Sequence, residues 1–320
     1  MGDITQRHQL TLVEMANRSS NKQLQEIAEV LDRENDILTD LQFVEANNVT
    51  RHSTTRRNYL PQGEARQLNK GVGRSATQTV PIEEEMTMIE TYSVVDKRLA
   101  AMSGNAAKFR KDEDIGIVSG LGQQMAEVIV YGNRSNNLGE INGLAYRRSE
   151  LADPNVVDGG GTTGEISSLY IIQHGTQYFH GHYPRGSQSG IVVRDLGEDT
   201  VTDEDGKEFQ AYRTHFAWDL GMTVRDERSL QRVANIQVDA DTLPRIDNFI
   251  IQALNQMPNR GNGAVIYANR DVFTVFDQLA NDKANAAFGF DTVFGRQVVT
   301  FRGHRIGLME SILSAEDVVA

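Results

Sequence analysis

The apolar positions between residues 105 and 130 recur every three or four residues, so they fall on one face of a predicted helix. Residues 112–114 place negative charge in its N-terminal half, and Gly132-Asn133 supplies a stop signal. A helix of about 20–25 residues spans roughly 30–37 Å. Because the three glycines between residues 116 and 122 would weaken an isolated helix, we expect another surface to pack closely on that face.

Other segments also show helical spacing of apolar residues. Residues 242–257 and 271–281 predict amphipathic helices, and Asn269 is positioned to cap the second one. Near the beginning of the chain, residues 21–31 predict a helix that follows a short helical arm at residues 10–16. Helices are therefore expected near the beginning, in the middle and in the last third of the chain.

Alternating polar and apolar residues predict β-strands between these helices. The segment 82–95 alternates in this way, and residues 37–44 form an extended run, so we expect these two segments to be the strands of an extended hairpin. Residues 133–165 are rich in turn formers, and the acidic segment 199–208 indicates an exposed turn. Further short strands are predicted at residues 169–173, 177–180, 191–194, 212–224, 264–268, 297–301 and 304–309.

The segment between the two hairpin strands, residues 47–80, carries six cations and one anion in a chain of net charge −12. Its apolar residues are too sparse for a core, and ordering such a loop costs about 1–2 kcal/mol per residue of backbone entropy. We therefore expect a neighbouring copy of the same protein to supply the binding energy. The predicted inter-subunit contacts are the cations Arg51, Arg56, Arg57, Arg66, Lys70 and Arg74 and the acids Glu83, Glu84 and Glu85. These acids would receive the basic loop of another copy, although a run of charges is more often a solvated face.

The composition supports a chain built for subunit contacts. Of the 32 cations, 25 are arginine, the residue that is enriched at protein interfaces, whereas lysine is depleted there; codon bias is the alternative explanation. The net acidity argues against avid DNA binding. The chain has neither an apolar run near 18 residues nor a signal-peptide pattern, so we expect a cytosolic protein without a membrane partner.

Candidate catalytic chemistry is sparse. The absence of cysteine excludes thiolate catalysis and cysteine-based zinc sites. His180 and His182 share one face of a predicted strand and could bind zinc or copper, but no third ligand is indicated and their aromatic neighbours suggest a packed surface. We therefore predict no catalytic residue, no metal and no cofactor. A metal-dependent hydrolase that uses these histidines and nearby acids stays as an alternative.

The order and spacing of several short motifs resemble a known family, the major capsid proteins of short-tailed bacteriophages of the epsilon-fifteen type. None of these motifs is a catalytic signature. They are His52, Arg56, Leu60, Pro61, Arg66, Asn69 and Gly71; Tyr92-Ser-Val-Val-Asp96; Phe109-Arg110; Tyr131-Gly132-Asn133; Gly143-Leu144-Ala145; Tyr183-Pro184-Arg185-Gly186; Asp195-Leu196-Gly197; Arg232, Asn235 and Ile236; and the terminal pair of predicted strands.

The resemblance implies an α+β fold, the HK97-like phage capsid fold. On that fold, residues 1–46 would form an N-terminal arm and helix, and residues 47–82 the extended loop. Residues 83–164 would form a peripheral domain with the long helix as its spine, and residues 165–295 an axial domain. Residues 296–320 would then return to the peripheral domain.

The same resemblance implies a function. The chain would be a major capsid protein that self-assembles into the hexamers and pentamers of an icosahedral head around double-stranded DNA, assembled in the host bacterial cytoplasm and retained in the virion. Its partners would be further copies of itself, scaffolding, portal and decoration proteins, and packaged DNA that it contacts weakly and without sequence specificity. An encapsulin-like compartment is the first alternative, and it would differ in enclosing protein cargo instead of DNA.

Overall fold

The structure, a computed structural model, describes residues 35–320 apart from 60, 163–165, 238–245, 282–286 and 294–295. The arm and helix predicted at residues 10–16 and 21–31 lie outside the described residues, as does the start of the helix predicted over 242–257. The described helices are α1 (Ile37–Asp40), α2 (Lys97–Met102), α3 (Ala106–Tyr131), α4 (Leu144–Arg147), α5 (Ile246–Gln256) and α6 (Arg270–Asn281). The described strands are β1 (Phe43–Glu45), β2 (Arg51–Tyr59), β3 (Gln78–Asp96), β4 (Val156–Asp158), β5 (Ile166–Gln173), β6 (Phe179–Tyr183), β7 (Ile191–Thr202), β8 (Glu208–Val224), β9 (Leu230–Gln237), β10 (Ala264–Ala268), β11 (Phe288–Val293), β12 (Arg296–Phe301) and β13 (His304–Leu308).

The first sheet is organised around two long strands, β3 and β8. Its order is β1-β6-β8-β3-β2, and β7 pairs with β8 along the edge opposite β3. β3 and β8 are antiparallel from Met86, opposite Gly221, to Asp96, opposite Ala211. The first eight residues of β3 continue beyond this ladder and pair with β2 instead. One strand therefore connects the centre of the sheet to a projecting hairpin.

The inner face of this sheet packs against α3. The alternation of β8 buries Phe216, Trp218 and Leu220 in one apolar cluster with Met125 and Ile129 of α3. At 26 residues, α3 is about 39 Å long. The predicted long helix is thereby confirmed, and its C-terminal half is the part that is buried.

Both ends of α3 follow from local sequence. The side chain of Asn105 accepts a hydrogen bond from the backbone N–H of Lys108, at 3.1 Å, and so caps the N-terminus. The helix ends before Gly132, where a Cβ atom would lie 2.4 Å from the Val128 carbonyl oxygen and 2.5 Å from that of Ile141. Only glycine allows the chain to turn so closely there. None of the described helices, α3 included, is both long and apolar enough to cross a membrane.

The second sheet contains the remaining strands in the order β11-β12-β13-β10-β5-β9-β4. Helices α5 and α6 pack against it in a second apolar cluster, which includes Ile250, Phe276 and Phe301. Asn269 caps α6 as predicted, because its Oδ1 atom accepts a hydrogen bond from Val272 N at 3.0 Å. The two sheets meet where Tyr170 and Tyr267 of the second join the cluster of the first.

The prediction of an extended run over residues 37–44 is wrong in its first half. Residues 37–40 form the short helix α1, which buries Ile37 and Leu38 in the core and is anchored by an Arg305 pair with Asp36 and Asp40. β1 follows and pairs in parallel with β6, so it is not a strand of the extended hairpin. Burial of two adjacent apolar residues favours a helical turn over a strand, in which neighbours would face opposite sides.

Several strands extend beyond the predicted segments or were not predicted. β4, β9 and β11 were not predicted. In β9, the buried polar residues Gln231, Arg232 and Asn235 interrupt the apolar residues that would have indicated a strand. The predicted acidic turn 199–208 is shorter than expected, since β7 runs to Thr202 and β8 begins at Glu208. The expected close packing on the glycines of α3 is also not found at Gly116 and Gly120, which have no neighbouring atom within 4 Å of an added Cβ atom.

The predicted segment limits at 46, 82, 164 and 295 stay a prediction, although the sheets assign some strands differently. β6, β7 and β8 fall within the proposed axial segment but pair with β3 in the first sheet. β12 and β13 belong to the second sheet, so these strands do not return to the first. The return is made by the chain after β13, where Met309 and Ile312 join the cluster around α3.

A buried ion pair fixes that returning segment. Arg232 of β9 pairs with Glu316 at 2.9 Å, and their side chains are only 5% and 6% exposed. The Tyr131 hydroxyl at the end of α3 also donates to Glu316, at 2.5 Å. Burial and the neighbouring Glu316 carboxylate raise the pKa of Tyr131, so the phenol stays protonated and continues to donate. This carboxylate thus joins α3, β9 and the C-terminal segment.

We predict that Glu316→Gln destabilises the unassembled protein by about 3–5 kcal/mol, because it leaves the Arg232 charge buried without its partner. Glu310→Gln is the matched control: it removes an ion pair with Arg270, whose side chain is 71% exposed, and should cost less than about 1 kcal/mol. Urea unfolding of both variants measures the difference. If the urea midpoint of Glu316→Gln equals that of Glu310→Gln, Glu316 does not stabilise the C-terminal segment.

Candidate subunit interface

The extended hairpin consists of β2, the tip at residues 61–77 and the part of β3 from Gln78 to Glu85. Its ladder runs from Arg51, opposite Glu85, to Tyr59, opposite Gln78, with an irregularity after Arg57. β2 alone extends about 30 Å at the usual rise per residue. All residues from 61 to 81 are exposed, and Leu68 at the tip is 94% exposed. The chain therefore forms an extended hairpin, as predicted. Its first strand is β2, which lies inside the basic segment, and not residues 37–44.

Arg56 binds within its own chain, which corrects the expectation of a purely inter-subunit role. Its guanidinium lies 2.5 Å from Glu227 Oε1 and donates to the backbone carbonyls of Val224, at 2.6 Å, and Arg225, at 3.2 Å. These acceptors lie at the end of β8 and just after it. Arg56 thereby fastens the middle of β2 to the body of the subunit.

The acidic run at the base of the hairpin also has partners in its own chain. Glu84 accepts two hydrogen bonds from Arg147, at 2.8 and 2.6 Å, and the two side chains are 13% and 15% exposed. Glu85 pairs with Arg134, and Glu83 makes an exposed pair with Arg51 at 2.9 Å. A bidentate ion pair between arginine and a carboxylate in a partly desolvated site is stronger than a single exposed contact. Glu84 is therefore a structural anchor, with little surface left to receive a loop from another copy.

Four of the predicted cations keep their charge unpaired. Among the described residues, no carboxylate forms an ion pair with Arg57, Arg66, Lys70 or Arg74. The tip contains one acid, Glu64, which accepts a hydrogen bond from the backbone of Gly73 at 3.4 Å. The outer half of the hairpin therefore presents unneutralised positive charge.

A cleft of about 830 Å³ separates the hairpin from the body. Arg57 and Arg225 line it without a carboxylate partner among the described residues, and the Arg225 guanidinium donates to the carbonyl of Thr176, at 3.2 Å. Asp226 and Glu227 also line it, but they are paired with Arg228 and Arg56. The cleft is therefore a positively charged space beside the tip.

The predicted histidine pair lies on β6, with both rings buried. The structure adds a third histidine that the sequence did not indicate: the ring centroid of His52 lies 5.9 Å from that of His180 and 5.2 Å from that of His182. Even so, within the described ranges no three His, Asp or Glu side chains converge as a metal site. Since Arg225 and Arg147 contribute positive charge nearby, this cluster is poorly suited to a cation.

Sequence reasoning missed the residues that anchor the hairpin. Arg147, Arg134 and Glu227 are far along the chain from their partners, and nothing in their immediate sequence indicates the pairing. His52 could have been suspected only from the register of β2, which the loop prediction excluded. These contacts come from the tertiary fold alone.

The fold of this chain is similar to that of solved phage capsids. A cryo-EM structure of bacteriophage Epsilon15 is similar to this chain at 28% identity, with 100% of each chain covered and a TM-score of 0.63. The bacteriophage JBD30 capsid covers 94% of this chain and 99% of its own at a TM-score of 0.55, but at 8% identity it shows the fold alone. An encapsulin complex from Synechococcus elongatus has a TM-score of 0.43 at 10% identity, covering 62% of this chain and 85% of its own, and carries no argument for the compartment alternative. The similarities to Epsilon15 and JBD30 show that this chain has an HK97-like capsid fold.

Residues 19–320 match the sequence profile of the family described as Major capsid protein GP7, so the chain belongs to that family. Among curated proteins no sequence match is found. The predicted α+β capsid fold and the predicted function of a phage major capsid protein are confirmed. The protein is a component of the virion that assembles with other copies into a shell.

We predict that Arg56 and Arg57, adjacent in sequence, respond differently to the same change. Arg56→Gln should lower the stability of the unassembled protein by about 1.5–3 kcal/mol, because it removes charge-assisted hydrogen bonds to the body. Arg57→Gln should change that stability by less than about 0.5 kcal/mol. Urea unfolding of the two variants gives the comparison. If both variants unfold like the parent protein, Arg56 does not fasten the hairpin.

Proposed function

We propose that the tip of the extended hairpin binds an acidic surface of a neighbouring subunit and that this contact closes the rings of the shell. The observation that carries this proposal is the set of four exposed cations on the outer half of the hairpin, Arg57, Arg66, Lys70 and Arg74, which have no carboxylate partner among the described residues. The chain as a whole has a net charge of −12. A second copy therefore offers the opposite charge that the tip lacks in its own subunit.

The energetics favour a partner outside the subunit. An isolated two-stranded hairpin is marginally stable in water, and this tip has little apolar surface to bury, with Leu68 94% and Val72 48% exposed. Desolvated hydrogen bonds between arginine and a carboxylate contribute about 1.5–3 kcal/mol each, whereas exposed pairs contribute about 0–1 kcal/mol. The contact therefore strengthens only when a neighbour covers the tip. The cleft beside Arg57 is one place where acidic side chains of that neighbour could be partly desolvated.

The anchors within the subunit explain why a projecting arm can bind with precision. Arg56 fixes the middle of β2, and the pairs Glu84–Arg147 and Glu85–Arg134 fix the base of the hairpin on β3. Because these ion pairs hold the direction of the hairpin before assembly, less conformational entropy is lost when the tip binds. The ion pairs within the subunit thus position the cations of the tip for contact with a neighbouring subunit.

A contact between the tip of one subunit and a different surface of the next is heterologous, and heterologous contacts close into rings when the rotation permits. We infer that these rings are hexamers and pentamers and that they form an icosahedral head around double-stranded DNA. Many weak contacts repeated around each ring combine into a strong shell. The likeness to the Epsilon15 structure supports this arrangement.

The other partners follow from the same role. We infer scaffolding, portal and decoration proteins as further partners, assembly in the bacterial cytoplasm and no catalytic step. With a net charge of −12, the protein should contact packaged DNA weakly and without sequence specificity, since avid binding requires many cations on phosphates.

We predict that the double variant Arg66→Glu, Arg74→Glu folds normally but no longer assembles. Both residues are exposed and unpaired, so the unfolding midpoint and circular dichroism of the unassembled protein should match the parent. Reversing their charge turns attraction into repulsion at the proposed contact, so sedimentation velocity and electron microscopy should show no shells.

Arg98→Glu is the control for this experiment. It reverses an exposed cation on α2, beyond the opposite end of β3, and shells should still form. Normal shells from the double variant would remove the tip from the proposed interface. Unfolding of the unassembled double variant would mean that the tip cations act within the subunit.

A further inference from the structure

We infer that His52, His180 and His182 form an acid-sensitive latch between the extended hairpin and the body of the subunit. His52 lies on β2, and the other two lie on β6, which is in the body. The rings of His52 and His182 are tilted by 32°, and those of His52 and His180 meet edge to face. This histidine latch is a contact between hairpin and body that consists of titratable rings.

Each ring of the latch has a buried nitrogen without a hydrogen-bond partner. These atoms are His52 Nδ1, His180 Nδ1 and His182 Nε2. The other nitrogen of His182 shares a hydrogen bond of 3.1 Å with the Thr223 hydroxyl on β8. His180 and His182 are 2% and 0% exposed. The closed latch therefore has no acceptor to spare for an added proton, and protonation would bury an uncompensated charge.

The charged groups around the latch make protonation still less favourable. Arg225, the residue that follows β8, lies near His52 and His180, and Arg147 of α4 lies near His182. On β3, Glu84 lies opposite His52 in the ladder, but both of its carboxylate oxygens are bound by Arg147. On β1, the apolar Val44 is opposite His182. No described carboxylate near the rings is unpaired and able to stabilise an imidazolium ion.

The direction of the resulting pH dependence follows from these surroundings. Burial, reinforced by the neighbouring positive groups, lowers the pKa of His180 to about 4 and that of His182 to about 3, and it also lowers the pKa of His52. A ring that leaves the latch regains an ordinary pKa near 6.5. The open form therefore takes up more protons, so the latch is fully stable above about pH 6.5 and weakens as the pH falls below that value.

The size of the effect is sufficient for a switch. An imidazole whose pKa changes from about 4 to 6.5 on opening shifts the equilibrium toward the open form roughly 30-fold at pH 5. Arg56 still holds β2 to the body, so acid should loosen the hairpin before it unfolds the chain. Under the proposed function, a loosened hairpin would position its tip poorly, and acid would weaken the shell.

Hydrogen exchange on the unassembled full-length protein tests the latch directly. Backbone amides of β2, corrected for the intrinsic pH dependence of exchange, should lose at least tenfold protection between pH 7.5 and pH 5. Amides of β9, which lies in the other sheet, should lose less. His52→Gln, which removes the ring that β2 contributes to the latch, should reduce the extra loss in β2.

His174→Gln is the matched control. His174 is a partly buried histidine outside the latch, 2.7 Å from the Tyr267 hydroxyl, and its pKa is also lowered to about 4 by burial. This variant should keep the acid response of β2. Equal protection of β2 at both pH values in the parent protein, or an unchanged response in His52→Gln, would overturn the latch.

The consequence for the shell is measured separately, by light scattering of assembled particles at the same two pH values. Particles of the parent protein should dissociate more at pH 5 than those of His52→Gln. A latch that opens in the exchange experiment while parent and variant particles dissociate alike would contradict the role proposed for the hairpin in assembly, and it would leave the latch in place.

Discussion

The continuous pairing of β3 is the interaction on which the remaining features of this subunit depend. From Met86 to Asp96 the strand is paired with β8, which buries Phe216, Trp218 and Leu220 in the core. The same strand then leaves the sheet and pairs with β2 as the projecting hairpin. Because no turn interrupts β3, the direction of the hairpin is determined by the packing of the core. The rigid base therefore presents the tip of the hairpin at a defined angle.

Electrostatics divide the basic segment into two parts with different roles. Cations and acids near the base of the hairpin are matched within the subunit: Arg51 with Glu83, Glu84 with Arg147, and Arg56 with Glu227. The cations nearer the tip have no such partner among the described residues. A shell protein benefits from this division, because contacts that hold one subunit together do not have to break when the next subunit binds.

The parts of the fold that sequence predicted well are those with local causes. The helix α3 follows from apolar periodicity, its Asn105 cap and the stop at Gly132, all of which lie within the segment itself. The strand β10 and the cap at Asn269 were predicted for the same reason. β9 was missed because its buried polar residues, such as Arg232, are satisfied by partners elsewhere in the chain. The roles of Arg56 and His52 were missed because the whole basic segment was interpreted as one loop, whereas residues 51–59 within it form β2, whose partners lie on β3, β6 and β8.

The central claim is that the tip of the hairpin lies on another subunit, and isotope-mixed cross-linking measures this most directly. A photoreactive residue in place of Leu68, which is 94% exposed, can be activated in shells assembled from equal amounts of ¹⁴N- and ¹⁵N-labelled protein. We predict that about half of the cross-linked peptide pairs from this position join a light to a heavy chain, the proportion expected for random neighbours. Cross-links that join only peptides of the same isotope would place the tip on its own subunit and contradict the claim.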